Sequence, residues 1–314
     1  RPKLQTFNAG NVQVWLDEGT VAEVATLQRK TGSTLFMVLL GTFQLLLSRY
    51  SRQDEVCVGS PYAGRDHAAT RDIVGYFVNT LAILVDTSGD LTVTEVVARV
   101  RTAVLGAFEH ADVSFAALVD CLKVRRDASR SAVFQAMFAV DAVASLAPEM
   151  VDETVQYGDT AKFELSLDCT VSTEDAANGA ILALNFNSDL FDGETARYLV
   201  QHLRQLVSSA ARSPQLHISE LQMVGAGDAT LVGQEWSGVH VDFPSQHTVD
   251  TIFESMVPRD PQWPALRFSG QDVTYAELDA RSSMLAMLLT TVHGVCTDDP
   301  VGLCLPRCPA MVVG

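Results

Sequence analysis

The sequence contains no Cys-x-x-Cys pair, no two adjacent histidines, no Gly-x-Ser-x-Gly and no Gly-x-x-x-x-Gly-Lys-[Ser/Thr]. Its six cysteines, at 57, 121, 169, 296, 304 and 308, are scattered, which argues against a disulfide framework and for a reducing, cytoplasmic setting. Ser60, Ser114 and Ser129 lack a nucleophile elbow, so serine hydrolase chemistry has no foothold. Basic residues are few: 22 Lys and Arg stand against 38 Asp and Glu, a net charge of −16. Such a field repels phosphate backbones and acidic lipid headgroups, so neither nucleic acid nor a membrane is an expected partner. Long apolar runs are also missing. The longest, Leu35 to Leu47, is broken by Gly41, Thr42 and Gln44 and falls short of the roughly 20 residues a membrane helix needs.

A hydrophobic share of 47% and a charged share of 19% are those of a chain that folds around a core. Val12 to Leu16 alternates like a strand, and Gly19 to Lys30 carries Val21, Val24, Ala25 and Leu27 at helical spacing. Ser33 or Thr34 caps a second helix, Leu35 to Tyr50, apolar nearly all round and therefore central. Glu55 to Gly59 reads as a short strand and Leu81 to Val85 as a strand buried on both faces. Thr92 to Phe108 is an amphipathic helix turning Val93, Val96, Val97, Val100, Val104 and Phe108 inward. A short helix at Phe115 to Leu122, strands at 133–140, 163–171 and 180–186, and a helix from Glu194 to Ala211 follow. This alternation predicts an α/β fold. Pro214 and Gly225 to Ala229 mark a boundary and Trp236 to Ser245 a connector. A second pattern follows: a helix Val249–Met256, a hairpin over Leu266–Thr274, a helix Ala276–Leu289 and a strand Val301–Leu305. Cys304 and Cys308 stand at helical spacing, but their apolar surroundings predict buried, inert thiols. The chain begins Arg-Pro-Lys without Met and closes at Val313-Gly314 inside an apolar stretch, and both ends are expected to be cuts.

Six segments carry a resemblance. Val58-Gly-Ser-Pro-Tyr-Ala-Gly-Arg65, Ile73-Val-Gly-Tyr-Phe-Val-Asn-Thr80, His110-Ala-Asp-Val-Ser-Phe115, Arg126-Asp-Ala-Ser-Arg130, Phe163-Glu-Leu-Ser-Leu167 and Asn185-Phe-Asn-Ser-Asp-Leu-Phe191 occur in that order. Together they resemble the C-terminal half of the condensation domain of nonribosomal peptide synthetases. Val273-Thr-Tyr-Ala-Glu-Leu278, with Val301 to Val313, is similar to the start of an adenylation (AMP-binding) domain. The resemblance implies a chloramphenicol-acetyltransferase-like lobe over residues 1–222, with a mixed sheet flanked by helices. It further implies a linker at 223–247 and a truncated α/β adenylation piece at 248–314.

The implied activity belongs to a multimodular enzyme of secondary-metabolite synthesis. It is amide-bond formation between two carrier-bound aminoacyl thioesters, beside ATP-dependent activation of an amino acid. The family's catalytic His-His-x-x-x-Asp-Gly is absent, since no two of the histidines at 67, 110, 202, 217, 240, 247 and 293 are neighbours. No catalytic residue is therefore assigned, and the chain alone is expected to be inactive and to bind no cofactor or metal. The intact module would use phosphopantetheine on carrier domains, ATP and Mg²⁺. Its partners would be carrier domains, the missing N-terminal condensation lobe and the rest of the adenylation domain.

By the resemblance, Tyr76 and Asn79 line the substrate channel; the bland alternative for Asn79 is an amide that satisfies backbone groups at a strand start. Arg65 either pairs with the Asp of the absent motif or is a plain surface residue. Asp127 and Arg130 read as an i,i+3 pair stiffening a turn. Glu109 and Asp112 are one turn apart with no partners that would make an acid–base site, and His110 reads as a helix-end residue. The alternative to an enzyme part is a non-catalytic, condensation-like docking module for carrier domains.

Overall fold

The computed structural model describes residues 1–65, 68–70, 72–125, 127–151, 160–173, 179–225, 230, 233 and 247–314. The chain divides into two compact units, 1–237 and 238–314. Among the described residues of the first, six strands and five α-helices occur in this order: β1 (Ala9–Leu16), α1 (Glu18–Thr31), α2 (Leu35–Ser51), β2 (Glu55–Tyr62), β3 (Asn79–Asp86), α3 (Val93–Glu109), α4 (Phe115–Leu122), β4 (Ala136–Val143), β5 (Leu165–Ser172), β6 (Ala180–Asn187) and α5 (Gly193–Arg212). Each helix starts on a side chain that accepts from a first-turn N–H otherwise without a partner. These caps are Asp17, Thr34, Thr92, Ser114 and Asp192, and Glu95 closes a reciprocal capping box with Thr92. Among the described residues no single helix is long and apolar enough to cross a membrane.

The strands form one mixed sheet in the order β1-β6-β5-β4-β2-β3. β1–β6, β5–β6 and β2–β3 pair antiparallel, whereas β4–β5 and β2–β4 pair parallel. Alternation sends Val56, Val58, Leu81, Ile83, Phe138, Leu167, Cys169, Leu182 and Leu184 to one buried face. There α2 is the central element, with Phe36 and Phe43 against Phe138 at ring separations of 5.3 and 6.3 Å. The weak place in the sheet is the β2–β4 seam, where the ladder holds only Val58 with Ala136 and Gly59 with Met137. Phe134 lies on Gly59 so closely that a Cβ there would stand 2.1 Å from its ring, and β4 starts at Ala136 rather than at the expected Val133.

In the second unit, α6 (Val249–Met256) is followed by the hairpin of β7 (Pro264–Phe268) and β8 (Gln271–Thr274), then α7 (Tyr275–Thr291) and α8 (Ala310–Val313). Ser269 and Gly270 both take positive φ in the two-residue turn. Arg267 grips Asp272 across the hairpin at 2.6 and 2.7 Å.

Four expectations need correction. β3 is not buried on both faces: it ends the sheet, and Leu84 is 53% exposed. Phe108 is not fully inward; it is partly exposed and rests on the Tyr62 ring at 5.6 Å. Residues 301–305 are not a strand, because no described strand pairs with them, and Val301, Leu303 and Leu305 are about half exposed. Cys304 is accordingly exposed and Cys308 only half-buried. The expected connector, Trp236–Ser245, lies outside the described residues, as do Ala226–Ala229 of the boundary run.

Two predictions follow from this packing. Gly59→Val drives a side chain into a buried aromatic ring, and overpacking of that kind costs about 1–3 kcal/mol; the urea midpoint is expected to fall without a change in slope. An unchanged midpoint would mean that Phe134 has another place to go. Burial pushes the Cys169 thiol up to about 12, with Asp141 and Asp168 adding to it, and the half-buried Cys57 thiol to about 11. Since the thiolate is the reactive form, iodoacetamide at mildly alkaline pH should label the exposed Cys121, Cys296 and Cys304 first. Peptide mass spectrometry is expected to find Cys169 labelled only after denaturation.

Candidate functional site: the loop between β2 and β3

The hairpin of β2 and β3 does not close in a tight turn; a long loop joins Tyr62 to Asn79, of which residues 66, 67 and 71 lie outside the described set. Its far limb, Ile73–Val78, has the composition of a core segment and the exposure of a surface one. Val74 is fully exposed and Tyr76 is 89% exposed. Water does not favour an isolated apolar patch of this kind, so such a limb needs outside support to keep one shape.

That support comes from two of the sequence-predicted residues. Arg65 donates to the carbonyls of Thr70, Ile73 and Gly75, the last two at 2.9 and 3.2 Å, and its guanidinium carbon lies 4.5 Å from the centre of the Phe77 ring. One charged side chain thus collects two carbonyls and an aromatic face from the limb, and a third carbonyl from Thr70 ahead of it, a combination of charge-assisted hydrogen bonds and cation–π attraction. Gly64 makes the approach possible. It sits at φ +64°, and a Cβ there would stand 2.3 Å from the Phe77 carbonyl oxygen.

Asn79 fixes the end of the limb. Its amide nitrogen donates to Ala111 and Val113, both at 2.8 Å, while its amide oxygen accepts from the N–H groups of Thr80 and Phe115 at 2.8 and 3.2 Å. Two donors and two lone pairs are all that a primary amide has. The geometry therefore agrees with the backbone-satisfying reading: Asn79 ties the start of β3 to the turn between α3 and α4. His110, in the same turn, is the exposed C-cap residue of α3, as its sequence position predicts.

Asp127 and Arg130 occupy a turn of their own. Asp127 accepts from the Ser129 N–H and hydroxyl at 2.9 and 2.7 Å and meets Arg130 Nε at 3.0 Å, so the predicted i,i+3 pair is present. The Ser129 hydrogen bonds, more than Arg130, hold the Asp127 carboxyl below the usual carboxylate range. The backbone of this turn receives the chain's beginning, with Gln5 N–H on Ala128 O at 2.8 Å and Arg1 on Ser129 O at 3.3 Å. Arg126, the first residue of that motif, lies outside the described residues.

What sequence reasoning missed is the closure of the limb by Arg65, Gly64 and Phe77. The available signal was a glycine just before a lone arginine, with aromatic residues a dozen positions on. Also missed was a cleft of about 510 Å³ at the opposite end of β2, between Leu47, Tyr50, Cys57, Val133, Leu165 and Leu199. Among the described residues no group of three or more His, Cys, Asp or Glu is arranged to hold a metal ion, and no side chain is assigned to ATP or Mg²⁺.

The condensation domain family matches residues 1–231 of the chain. The chain belongs to that family. The AMP-binding enzyme family matches residues 253–314, so a condensation piece is followed by the start of an adenylation piece, as in nonribosomal peptide synthetases. Tyrocidine synthase 3 of Brevibacillus parabrevis is 35% identical over 318 residues, covering all of the chain but 5% of its own length. Surfactin synthase subunit 1 of Bacillus subtilis is 34% identical over 286 residues, 91% of the chain and 8% of its own length. The chain thus spans under a tenth of either relative. Among solved structures, the X-domain from teicoplanin biosynthesis superposes with TM-score 0.64 at 26% identity, over 71% of this chain and 52% of its own. A four-domain nonribosomal peptide synthetase bound to AMP and glycine gives TM-score 0.66 at 22% identity, over 94% of this chain and 23% of its own. The condensation piece has the chloramphenicol-acetyltransferase-like fold, a mixed sheet flanked by helices.

Within the condensation piece, Asn79→Ala leaves two N–H groups and two carbonyls without their partner. At about 0.5–1.5 kcal/mol per hydrogen bond, thermal unfolding should show a loss of about 2–4 kcal/mol. A loss below 1 kcal/mol, tested by the same melt, would mean that solvent replaces the amide at little cost.

Proposed function

We propose that residues 1–222 are the C-terminal lobe of a condensation domain, that 223–247 link it onward, and that 248–314 open an adenylation domain in an elongation module of a nonribosomal peptide synthetase. In that module the amine of an acceptor aminoacyl thioester attacks the carbonyl of a donor thioester. A C–N bond forms, the C–S bond breaks, and the freed thiol takes up the proton that the amine loses. Both reactants ride on the phosphopantetheine arms of carrier domains, and the adenylation domain activates the next amino acid with ATP and Mg²⁺. The six unpaired cysteines support a cytoplasmic setting.

The observation that carries this reading is the limb Ile73–Val78, an exposed apolar segment held by Arg65 and Asn79. A channel wall needs such a surface: apolar where it meets a pantetheine arm, and stiff enough to orient two tethered reactants, which is where catalysis by proximity gains its rate. Tyr76 is the wall residue, and Asn79 acts from behind it as a positioning residue. Arg65 shapes the loop and is the candidate partner for the Asp of His-His-x-x-x-Asp-Gly. Asp127 and Arg130 hold the turn that receives the chain's beginning. The base would come from that motif, which residues 1–314 do not contain.

A second reading, a non-catalytic docking module, is supported by the 26% identity to the X-domain from teicoplanin biosynthesis, for which a complex with OxyB is known. A single-turnover assay with donor and acceptor aminoacyl carriers, read by intact mass, separates the two. The enzyme reading expects no transfer by 1–314, transfer once an N-terminal lobe carrying His-His-x-x-x-Asp-Gly is fused in front, and a large loss in that fusion on Tyr76→Ala with unchanged melting temperature. No transfer by the folded fusion would favour the docking module, and transfer by 1–314 alone would overturn the assignment of the base.

A further inference from the structure

The free edge of β3 carries an inference that the condensation reading does not contain. Which backbone groups face that edge follows from Gln44, a fully buried side chain on α2. Its amide nitrogen donates to Val56 O at 3.1 Å and Ile83 O at 3.0 Å, so these carbonyls on paired strands face each other. In an antiparallel pair the N–H and C=O of one residue point to the same side and successive residues alternate. Thr80, Ala82, Leu84 and Asp86 therefore point away from β2. The fold satisfies the two ends of this row: Asn79 accepts from Thr80 N–H at 2.8 Å, and Arg99 donates to Asp86 O at 2.7 Å. Among the described residues, the N–H and C=O groups of Ala82 and Leu84, in the middle, have no partner. Beside them runs an open groove of about 450 Å³ between Leu84, Asp86, Ala98, Arg99 and Thr102.

Exposed edges are usually blunted by Lys, Pro or a bulge. Residues 79–86, Asn-Thr-Leu-Ala-Ile-Leu-Val-Asp, contain no Lys and no Pro, and their register with β2 runs without a shift. We propose that this edge pairs with the same edge of a second copy of the chain, antiparallel about a two-fold axis at Ile83. That register sets Ala82 opposite Leu84 of the partner subunit and Thr80 opposite Asp86 of the partner subunit. Both open residues find their hydrogen bonds, a small side chain meets a large apolar one, and no two like charges are opposed. The self-complementarity of the row is what selects a second copy over an unrelated peptide. With −16 on each chain, the long-range field opposes the encounter, so association is weak and salt strengthens it by screening.

The test is sedimentation velocity of the 314-residue chain across the micromolar range at low and high salt. The expected result is a dimer that dissociates on dilution and is favoured by salt. Ala82→Pro removes the outward N–H while leaving the ladder to β2 untouched, and Leu84→Lys places a charge on the open row; each should give a monomer with an unchanged melting temperature. A monomer at every concentration overturns the proposal. So does a dimer that survives both variants, which would place the interface on another surface, such as the exposed apolar side chains of residues 247–314.

Discussion

Among the described residues two ladder pairs join the two halves of the sheet, and the fold depends on what α2 does behind them. The helix presents Phe43 and Phe36 to Phe138 of β4, and Leu46 and Leu47 approach Leu165, Leu167 and Leu184 beyond it. From the same helix Gln44 reaches the other half, bonding carbonyls of β2 and β3. Each fully buried Leu or Phe contributes about 1.5–3 kcal/mol relative to exposure, so a few of them outweigh the backbone bonds that a short parallel seam forgoes. This explains why a helix that lies at the centre of the core is apolar nearly all round.

The loop inherits its precision from that arrangement. β2 and β3 are held at their α2 side, and Asn79 fastens the start of β3 to the turn between α3 and α4. Arg65 then shapes the limb from within. The apolar side chains Val74 and Tyr76 are thus offered outward by backbone that is bonded on its inner side. The limb is thereby exposed and yet held on its inner side, and Arg65 and Asn79 supply that hold through backbone groups.

Much of this was legible from residues alone. Helical spacing placed α1, α2, α3 and α5 within a residue or two, and Thr34 and Thr92 stand where a hydroxyl is needed at a helix start. The motif series located the loop. What the sequence could not carry were properties that belong to pairs of segments. Leu81 to Val85 is as apolar as an inner strand, and only the sheet order puts it at an edge. The role of Arg65 depends on carbonyls five to ten residues ahead, which no side-chain pattern encodes. The resemblance implies a channel place for Asn79, while three of its four bonds reach the backbone of a turn more than thirty positions away.

Residues 301–305 show the same dependence in another form. Their composition is that of an inner strand, yet with no described neighbour they take no strand pairing and leave three large side chains half exposed. For anyone recombining synthetase modules, this distinguishes two kinds of junction. A graft point between Met223 and His247 separates the six-stranded sheet from the β7–β8 hairpin without parting any strands that pair among the described residues. A graft point just beyond Leu305 hands the recipient an apolar ribbon whose shape must be dictated by whatever it is joined to, so compatibility there has to be designed into both parents at once.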